Sequence, residues 1–464
     1  MFNYKHLAVA IASISAVGVA NAAGLDRSGQ DITAFLQDGT YGEVVYTYID
    51  ADISGKDTSG NSISDIAETY DFARFGVKAD INDTFSVGVL YDEPWGAAVQ
   101  YGGDNNFVSK GVDDIVAVLS EGRVGSVTEA QVGLAQAQQG ITQLQTAIAN
   151  VQAAGGDATA LQTQLTQAQA QAASLGQLVG ASQVMSPALA GQRDQGTNVE
   201  IRTQNATLLM GAKLGRNKNF QVYGGPALQR LTGEVHLRGN AYQRATGYDA
   251  KISTDTTTGW VAGVAYHKPE IALKAALTYR SETEHESNIA EVFPTATLLG
   301  QNANSSLPFS VTLPESWNLD FQTGVNPTTL LTAKVRYVPW SDFDIRPTRY
   351  TQLSGLPIIS YDKDQWSAEV GLGKKVSDKL AVSGSVGYDS GAGNPVSTLG
   401  PIKGYYSLGL GAKYNVTPEW SVSVGGKYLK FGDATAQLPN GVKVGEFDDN
   451  DGFIAGVKLA YQQK

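Results

Sequence analysis

Basic side chains that alternate with apolar ones are the residues of this sequence best suited to bind a ligand group. In the run from 330 to 338, two basic residues alternate with apolar ones and so share one face of a β-strand. If this strand belongs to the wall of a barrel in a membrane, such cations could bind a carboxylate from the inner, lumen-facing side. Exposing a Lys or Arg side chain to lipid instead would destabilise the protein by about 2–4 kcal/mol at the membrane midplane. The alternative is that they line a wet lumen and pair with inward acidic groups. By this test, the candidate carboxylate-binding residues are Arg336, Lys427, Arg280, Lys334 and Lys274.

Residues for covalent, metal or nucleotide chemistry are not grouped in the sequence. The chain has four histidines without metal-ligand spacing, no cysteine, no phosphate-binding loop, no nucleophile elbow and no HExxH motif. The sequence therefore predicts neither an enzyme nor a metal or cofactor site. The net charge of -11 disfavours nucleic acid as a partner.

The elements that position these cations follow a two-residue alternation that runs through most of the chain after Gly39. Short turns are predicted at 79–84, 215–219, 266–270, 324–329, 375–379 and 415–419, and long polar loops separate them. Six short turns pair twelve strands, and a first strand near 40–54 and a last near 451–462 give fourteen. A soluble β-sandwich would also alternate, but the turn asymmetry and the Tyr and Trp residues at strand ends favour a membrane protein. The predicted fold is all-β, a 14-stranded antiparallel transmembrane β-barrel over residues 40–464.

The N-terminus predicts export. A short basic head, the apolar run 7–20 and the triplet Ala-Asn-Ala at 20–22 are typical of a secretory signal peptide over residues 1–22. The apolar run has 14 residues, fewer than the roughly 20 that span a bilayer. An exported chain without cysteine suggests a protein of the bacterial cell envelope. Residues 23–39 then precede the first strand.

One region departs from the alternation. Between 126 and 179 the chain is rich in Ala and Gln, and its apolar positions recur at spacings of three and four, which predicts two helices. The glycines of AAGGDA (153–158) predict a turn between them, with Asp157 as a candidate N-cap. We expect residues 113–190 to form an antiparallel helical hairpin, inserted in the extracellular loop between strands 3 and 4. The alternative is a poorly ordered low-complexity loop.

The stretch DEPWG, residues 92–96, interrupts the third predicted strand. Pro94 cannot donate a hydrogen bond to a neighbouring strand, and Gly96 contributes no side chain to the wall. We expect these residues to leave the ladder, bend the strand and open a gap through which an apolar compound could pass sideways into the membrane. The alternative is an extracellular strand end that relaxes into its loop.

Four segments resemble the FadL family of outer-membrane long-chain fatty acid transporters, which includes the TodX-type carriers of aromatic hydrocarbons. They are the run VKADINDTFSVGVLYDEPWGAAVQY, the opening AGLDRSGQDITAFLQDGTYGEVVYTYID, the segment IRPTRY (345–350) and the closing GGKYLKFGDATAQLPNG. The resemblance implies an N-terminal hatch, capture of substrate at extracellular loops, a pocket in the lumen and lateral release at a kinked third strand.

On this resemblance, residues 23–39 form the hatch, although the Asn-Pro-Ala segment usual in the family is absent and the hatch is short. The hatch candidates are Leu25, Asp26, Arg27, Ser28 and Phe35. The candidates for the lateral opening are Asp92, Glu93, Pro94, Trp95 and Gly96.

The predicted function is passive uptake of hydrophobic compounds, foremost long-chain fatty acids, by a monomer in the outer membrane. Its partners would be a long-chain fatty acid or another hydrophobic small molecule, and outer-membrane lipid. The alternatives are a general diffusion porin with a polar lumen, an uptake channel for aromatic hydrocarbons, and adhesion through the helical hairpin.

Overall fold

The computed structural model describes residues 25–463, so the predicted signal peptide and the first two hatch residues lie outside the described part of the chain. Seventeen segments form one antiparallel sheet, and three of its strands are each broken into two segments, which leaves fourteen strands. The strands are β1 Thr40–Asp52, β2 Tyr70–Asp80, β3a Phe85–Asp92, β3b Gly96–Gln100, β4 Asn198–Leu214, β5 Phe220–His236, β6 Asp249–Lys268, β7a Leu273–Arg280, β7b Thr283–Val292, β8a Asn304–Leu313, β8b Ser316–Asn326, β9 Thr329–Val338, β10 Gln365–Lys375, β11 Leu380–Asp389, β12 Lys403–Asn415, β13 Trp420–Gly432 and β14 Asp451–Gln463.

The sheet closes on itself because β1 pairs with β14 over its whole length, from Thr40 opposite Gln463 to Asp52 opposite Asp451. Closure removes the two open edges that a flat sheet would expose to the hydrocarbon core. The predicted 14-stranded antiparallel barrel is confirmed, and each of the six predicted short turns lies between paired strands.

The alternation along each strand separates a lipid-facing surface from the lumen. On β13, Val424 and Tyr428 are exposed, whereas Ser423 and Lys427 are buried inside. Further large aromatic side chains are exposed on the outer surface, including Trp260, Trp317, Trp366 and Tyr406. Such rings are typical of the girdles at the two membrane interfaces.

The other elements lie in the loops opposite the short turns, except for one 3-10 helix in the short turn between β6 and β7a. Short strand segments occur at Gly55–Asp57, Ser62–Ile63, Asp344–Ile345, Ile359–Ser360, Val396–Ser397, Ala434–Gln437 and Lys443–Phe447. The α-helices are α1 Asp113–Leu119, α2 Val127–Ala153, α3 Thr159–Leu189 and α4 Thr348–Ser354, and short 3-10 helices lie at Ala190–Gln192, Asn240–Ala245, Pro269–Ile271, Pro294–Leu299 and Trp340–Asp342. None of the described helices is long and apolar enough to span a bilayer.

Helices α2 and α3 form the predicted hairpin between strands 3 and 4. The Ser126 side chain accepts a hydrogen bond from the amide of Glu129 and caps α2, whereas α3 starts one residue later than expected, after Ala158. At the base, the amide of Asp194 donates to the carbonyl of Ser109 at 2.8 Å. The two ends of the inserted segment are therefore adjacent and hydrogen-bonded to each other.

The described part of the hatch, residues 25–39, lies within the barrel. Ile32, Phe35 and Leu36 are buried against inward side chains of the wall such as Tyr223, whose ring centre is 5.8 Å from that of Phe35. Gly88 on β3a makes room for the Phe35 ring, because a Cβ at this position would lie 2.8 Å from it. A short segment can thus fill the bore at this level with apolar contacts.

Candidate functional site

The third strand is broken between Asp92 and Gly96. Its pairing with β2 stops where Phe75 lies opposite Tyr91, and the next bridge joins Val99 to Ala67, which precedes β2. We call this interval between β2 and β3 the seam. Proline lacks the amide that the ladder needs, and a strand continuing through Pro94 would leave a neighbouring carbonyl without a donor.

Pairing with the other neighbour, β4, continues past the break. Asp92 lies opposite Asn205 and Gly96 lies opposite Arg202, so three residues of β3 face two of β4, which is a β-bulge. The bulge is narrower than the expected departure of residues 92–96, because both end residues stay paired with β4. Thr203 satisfies the bulged backbone: its hydroxyl accepts from the Trp95 amide at 2.8 Å, and its own amide donates to the Trp95 carbonyl at 3.0 Å.

The extra residue reverses the inward and outward alternation across the break. In β3a, even-numbered residues such as Leu90 and Asp92 are buried, whereas in β3b the buried residues include Ala97 and Val99. Because the bulge absorbs the extra residue, both halves of the strand keep their apolar side chains inside.

The hatch takes the place of β2 at the seam. The amide of Arg27 donates to the carbonyl of Pro94 at 2.8 Å, and the amide of Gly96 donates to the carbonyl of Leu25 at 2.7 Å. These bonds make an antiparallel bridge between Asp26 and Trp95. The backbone groups that the break releases are therefore satisfied from inside the barrel by the hatch.

Side chains of the break also contact the hatch and the lumen. Asp92 accepts hydrogen bonds from Ser28 Oγ at 2.8 Å and from Asn205 Nδ2 at 3.0 Å. The Trp95 ring is buried edge-on against Trp340, with 5.3 Å between ring centres. Glu93 stands apart, because its carboxylate lies on the side of Arg202, at 4.0 Å.

Four of the five candidate carboxylate-binding cations contact the hatch. Arg336 forms an ion pair with Asp26, Nε to Oδ2 at 2.5 Å, and Lys334 forms one with Asp31 at 2.9 Å. Lys274 donates to the carbonyl of Leu36, and Arg280 lies 3.5 Å from the carbonyl of Gln30. The fifth, Lys427 on β13, forms an ion pair within the lumen with Glu369 on β10. All five face inward as expected, and they hold carboxylates and carbonyls of the protein itself.

The Asp31 carboxylate is a second anchor of the hatch. Burial opposes its ionised form, but Lys334 and Arg74 outweigh burial and hold the pKa of Asp31 below its usual value. The pair Asp31–Arg74 spans 3.5 Å and joins the hatch to β2. The hatch is therefore fixed by charge to β2 as well as to β9.

Two apolar cavities lie next to the seam. The inner cavity, of about 450 Å³, is lined almost entirely by aliphatic side chains. These include Leu25, Ala97, Val199, Ile201, Ala250, Ile252, Ile289, Ile345, Ile358, Ile359 and Leu399. The seam cavity, of about 750 Å³, is bounded by both edges of the seam, and its lining includes Arg27, Ile49, Ile53, Ile66, Tyr70, Ala97, Val99, Leu399, Ile402, Leu429 and Phe431. Ala97 and Leu399 line both cavities, which therefore adjoin.

A third cavity, of about 510 Å³, is polar and lies beside the hatch. Ser28, Gly29 and Asp31 line it from the hatch, and Lys334, Arg336 and Glu369 line it from the wall. Within residues 25–463, no group of three or more His, Asp or Glu side chains is placed to hold a metal ion.

Sequence reasoning missed two residues of this site. Thr203 lies on β4 and Tyr70 begins β2, and each resembles ordinary strand composition. For Ile345, which lines the inner cavity, the sequence contained one indication, because Ile345 is the first residue of the family-like segment IRPTRY.

Comparisons with known proteins agree with this architecture. A family model described as "Outer membrane protein transport protein (OMPP1/FadL/TodX)" matches residues 190–461, more than half of the chain. The structure of a Pseudomonas aeruginosa FadL homologue superposes with a TM-score of 0.62 at 14% identity, covering 97% of each chain.

Two toluene transporters are also similar in structure. TodX of Pseudomonas putida gives a TM-score of 0.54 at 11% identity, covering 97% of this chain and 98% of its own. TbuX of Ralstonia pickettii gives 0.52 at 10% identity, with the same coverage. At these identities the likeness shows the fold. None of the curated protein sequences compared with the chain matches it significantly.

Proposed function

The chain belongs to the outer membrane protein transport protein (OMPP1/FadL/TodX) family, and we propose that it takes up long-chain fatty acids passively and releases them sideways through the seam. As a member of this family, it is a β-barrel of the bacterial outer membrane that transports hydrophobic compounds. The substrate, the lateral route, the absence of any catalysed reaction and a monomeric state are parts of the proposal.

The observation that carries the proposal is the position of the two apolar cavities. They adjoin at Ala97 and Leu399, and the second of them is bounded by the unpaired edges of β2 and β3. The hatch fills the bore below, around Phe35. A hydrophobic compound in the inner cavity thus has an apolar neighbour in the direction of the wall, whereas the axial direction leads to the hatch and its ion pairs.

The surroundings of the seam support release into the membrane. The last paired residues before it, Phe75 and Tyr91, stack with 4.8 Å between ring centres, and Phe75 is exposed on the outer surface. The outer surface of a transmembrane barrel is apolar where it faces lipid. A compound that leaves through the seam beside this exposed ring passes to the outer surface of the barrel and avoids the periplasmic water.

The adjoining of two cavities with largely aliphatic linings favours an extended acyl chain over a single aromatic ring, because a flexible chain can contact both linings at once. The FadL homologue is among the structural relatives, and so are two toluene transporters, so aromatic hydrocarbon uptake is the second candidate.

Deletion of Pro94 is the sharpest test of lateral release. Because the bulge contains one extra residue, the deletion gives β3 an unbroken register with β4 and leaves the inward faces of β3a and β3b unchanged. A continuous β3 can then pair with β2 and close the seam. We expect uptake of radiolabelled oleate by cells that lack other carriers to fall to the level of cells without the protein.

The matched control is Pro94→Ala, which keeps the extra residue and hence the bulge, and it should retain oleate uptake. Undiminished oleate uptake by a folded Pro94 deletion would refute lateral release. Toluene uptake is measured in the same strains. If the Pro94 deletion abolished toluene uptake but left oleate uptake unchanged, the substrate would belong to the aromatic class.

The polar cavity beside the hatch favours a third candidate, diffusion of small polar solutes. Swelling of proteoliposomes in sugars tests it. Sugar flux that is equal in the Pro94 deletion and the unaltered protein, together with unchanged oleate uptake, would support the porin function instead.

A further inference from the structure

We propose that Arg27 and the seam cavity form a binding site for the carboxylate of an amphiphile, with the guanidinium holding the headgroup and the aliphatic lining holding the chain. The inference rests on the proposed function and adds to it the residue that distinguishes an acidic lipid from a neutral hydrocarbon.

The surroundings of Arg27 leave its guanidinium with few polar partners at the seam cavity. Its side chain makes one hydrogen bond, from Nη1 to the backbone carbonyl of Asp26 at 2.9 Å. Its guanidinium lies 5.6 Å from the centre of the Tyr70 ring. Among the residues that the structure describes, no carboxylate lies within ion-pair distance of Arg27, although its side chain is half-buried.

A guanidinium in this position has unused binding capacity. It carries five N–H donors in a planar fork that matches a carboxylate, and a partly desolvated charge gains most from such a partner. The Tyr70 hydroxyl, buried and without a hydrogen-bond partner among the described residues, is a second unused polar group in the lining of this cavity. Both groups face a space whose other walls are mainly apolar.

Three of the five inward cations predicted from the alternation already hold a carboxylate of the protein, whereas Arg280 and Lys274, which contact carbonyls of the hatch, do not line the seam cavity. Arg336, Lys334 and Lys427 hold the carboxylates of Asp26, Asp31 and Glu369. A ligand that bound to one of them would have to displace an acidic group of the protein and leave it buried without its cation, which is costly. An incoming carboxylate gains an ion pair at Arg27 without that loss.

The lining of the seam cavity suits the rest of an amphiphile. Ile49, Ile53, Ile66, Leu429 and Phe431 supply an apolar wall, and the cavity adjoins the inner cavity at Ala97. The backbone of Arg27 is bonded to Pro94. A headgroup at Arg27 is therefore held at the edge of the seam, beside the proposed exit.

The proposal is tested by equilibrium binding of dodecanoate and dodecanol to the purified, detergent-solubilised full-length mature protein. The two probes share a chain and differ in headgroup. In Arg27→Gln, we expect the affinity for dodecanoate to fall between about tenfold and about a hundredfold, as for loss of a charge-assisted hydrogen-bonded pair. The affinity for dodecanol should be unchanged, because the cavity is intact.

Arg202→Gln is the matched control. Arg202 lies over the same Tyr70 ring, at 4.6 Å, but it is paired with Glu200 and does not line the cavity. Its substitution should leave the affinities for both probes unchanged. An equal loss of affinity for both probes in Arg27→Gln, or no loss for either, would overturn the proposal.

A crystal structure of the unaltered protein with dodecanoate provides a second measurement that depends on no variant. The carboxylate is expected within hydrogen-bond distance of the Arg27 guanidinium, and a headgroup bound at another cation would overturn the site. Both measurements use detergent-solubilised protein, so they do not depend on lateral release. If Arg27 binds the carboxylate while the Pro94 deletion leaves uptake unchanged, the binding site stands and the exit route fails.

Discussion

The ion pair between Arg336 and Asp26 makes a quantitative prediction about how firmly the hatch closes the seam. Both side chains are buried, and Arg336 also donates to Asn318 Oδ1 at 2.9 Å. Removal of one partner of a buried ion pair typically costs about 3–5 kcal/mol, because the other charge is left unpaired. In Arg336→Met, the hatch should open more often by between about a hundredfold and a few thousandfold.

Hydrogen exchange at the seam measures this opening directly. The amides of Arg27 and Gly96 are protected by the two backbone bonds between hatch and break, so their exchange reports release of the hatch. The double variant Asp26→Leu with Arg336→Met should exchange much more slowly than Arg336→Met alone, because it removes the buried carboxylate together with the cation.

Lys427→Met is the control, since it breaks a buried ion pair with Glu369 that does not involve the hatch. It should leave exchange at Arg27 and Gly96 unchanged. If Arg336→Met changed exchange at these amides no more than Lys427→Met does, the ion pair would not hold the hatch and the reasoning would be wrong.

Three further predictions follow from the geometry. In Gly96→Ala, the new Cβ would lie 2.3 Å from Tyr70 Oη, so about 1–3 kcal/mol of overpacking strain is expected, and faster exchange at the seam in Gly96→Ala than in a Pro94→Ala control would show it. Burial raises the pKa of Asp114 to about 6, so the folded state binds its proton more tightly than the unfolded state does. The free energy of local unfolding of α1 should fall by up to about 3 kcal/mol as the pH rises from about 4 to about 6. Proteolysis at α1 should therefore become faster over this pH range in the unaltered protein, and its rate in Asp114→Asn should not change in this way. Deletion of 113–190 should leave oleate uptake unchanged, because the ends of the insertion meet at its base, and a loss of uptake in correctly inserted protein would assign the hairpin a part in transport.

The barrel could be predicted from the sequence because its determinants are local. The two-residue period separates lumen from lipid within a single strand, so the inward positions of Lys334 and Arg336 required no knowledge of their neighbours. The break at Pro94 was predictable for the same reason, since proline removes a donor wherever it lies.

The partners of these residues could not be predicted. Arg336 and Asp26 are 310 positions apart in the chain, and no pattern within either segment indicates that one satisfies the other. The alternation therefore gave the direction of the cations but left open whether they hold substrate or protein. Tyr70 and Thr203 were missed because their contacts arise only once β2, β4 and the hatch are packed together.

The hatch also affects how the barrel can associate with other proteins in the membrane. A strand edge with free amides and carbonyls is a template on which another polypeptide can add a strand. The interruption between β2 and β3 would expose such an edge. Leu25 and Arg27 occupy that edge at Gly96 and Pro94. The same two hydrogen bonds that join the hatch to the break therefore protect the protein against edge-to-edge association with its neighbours.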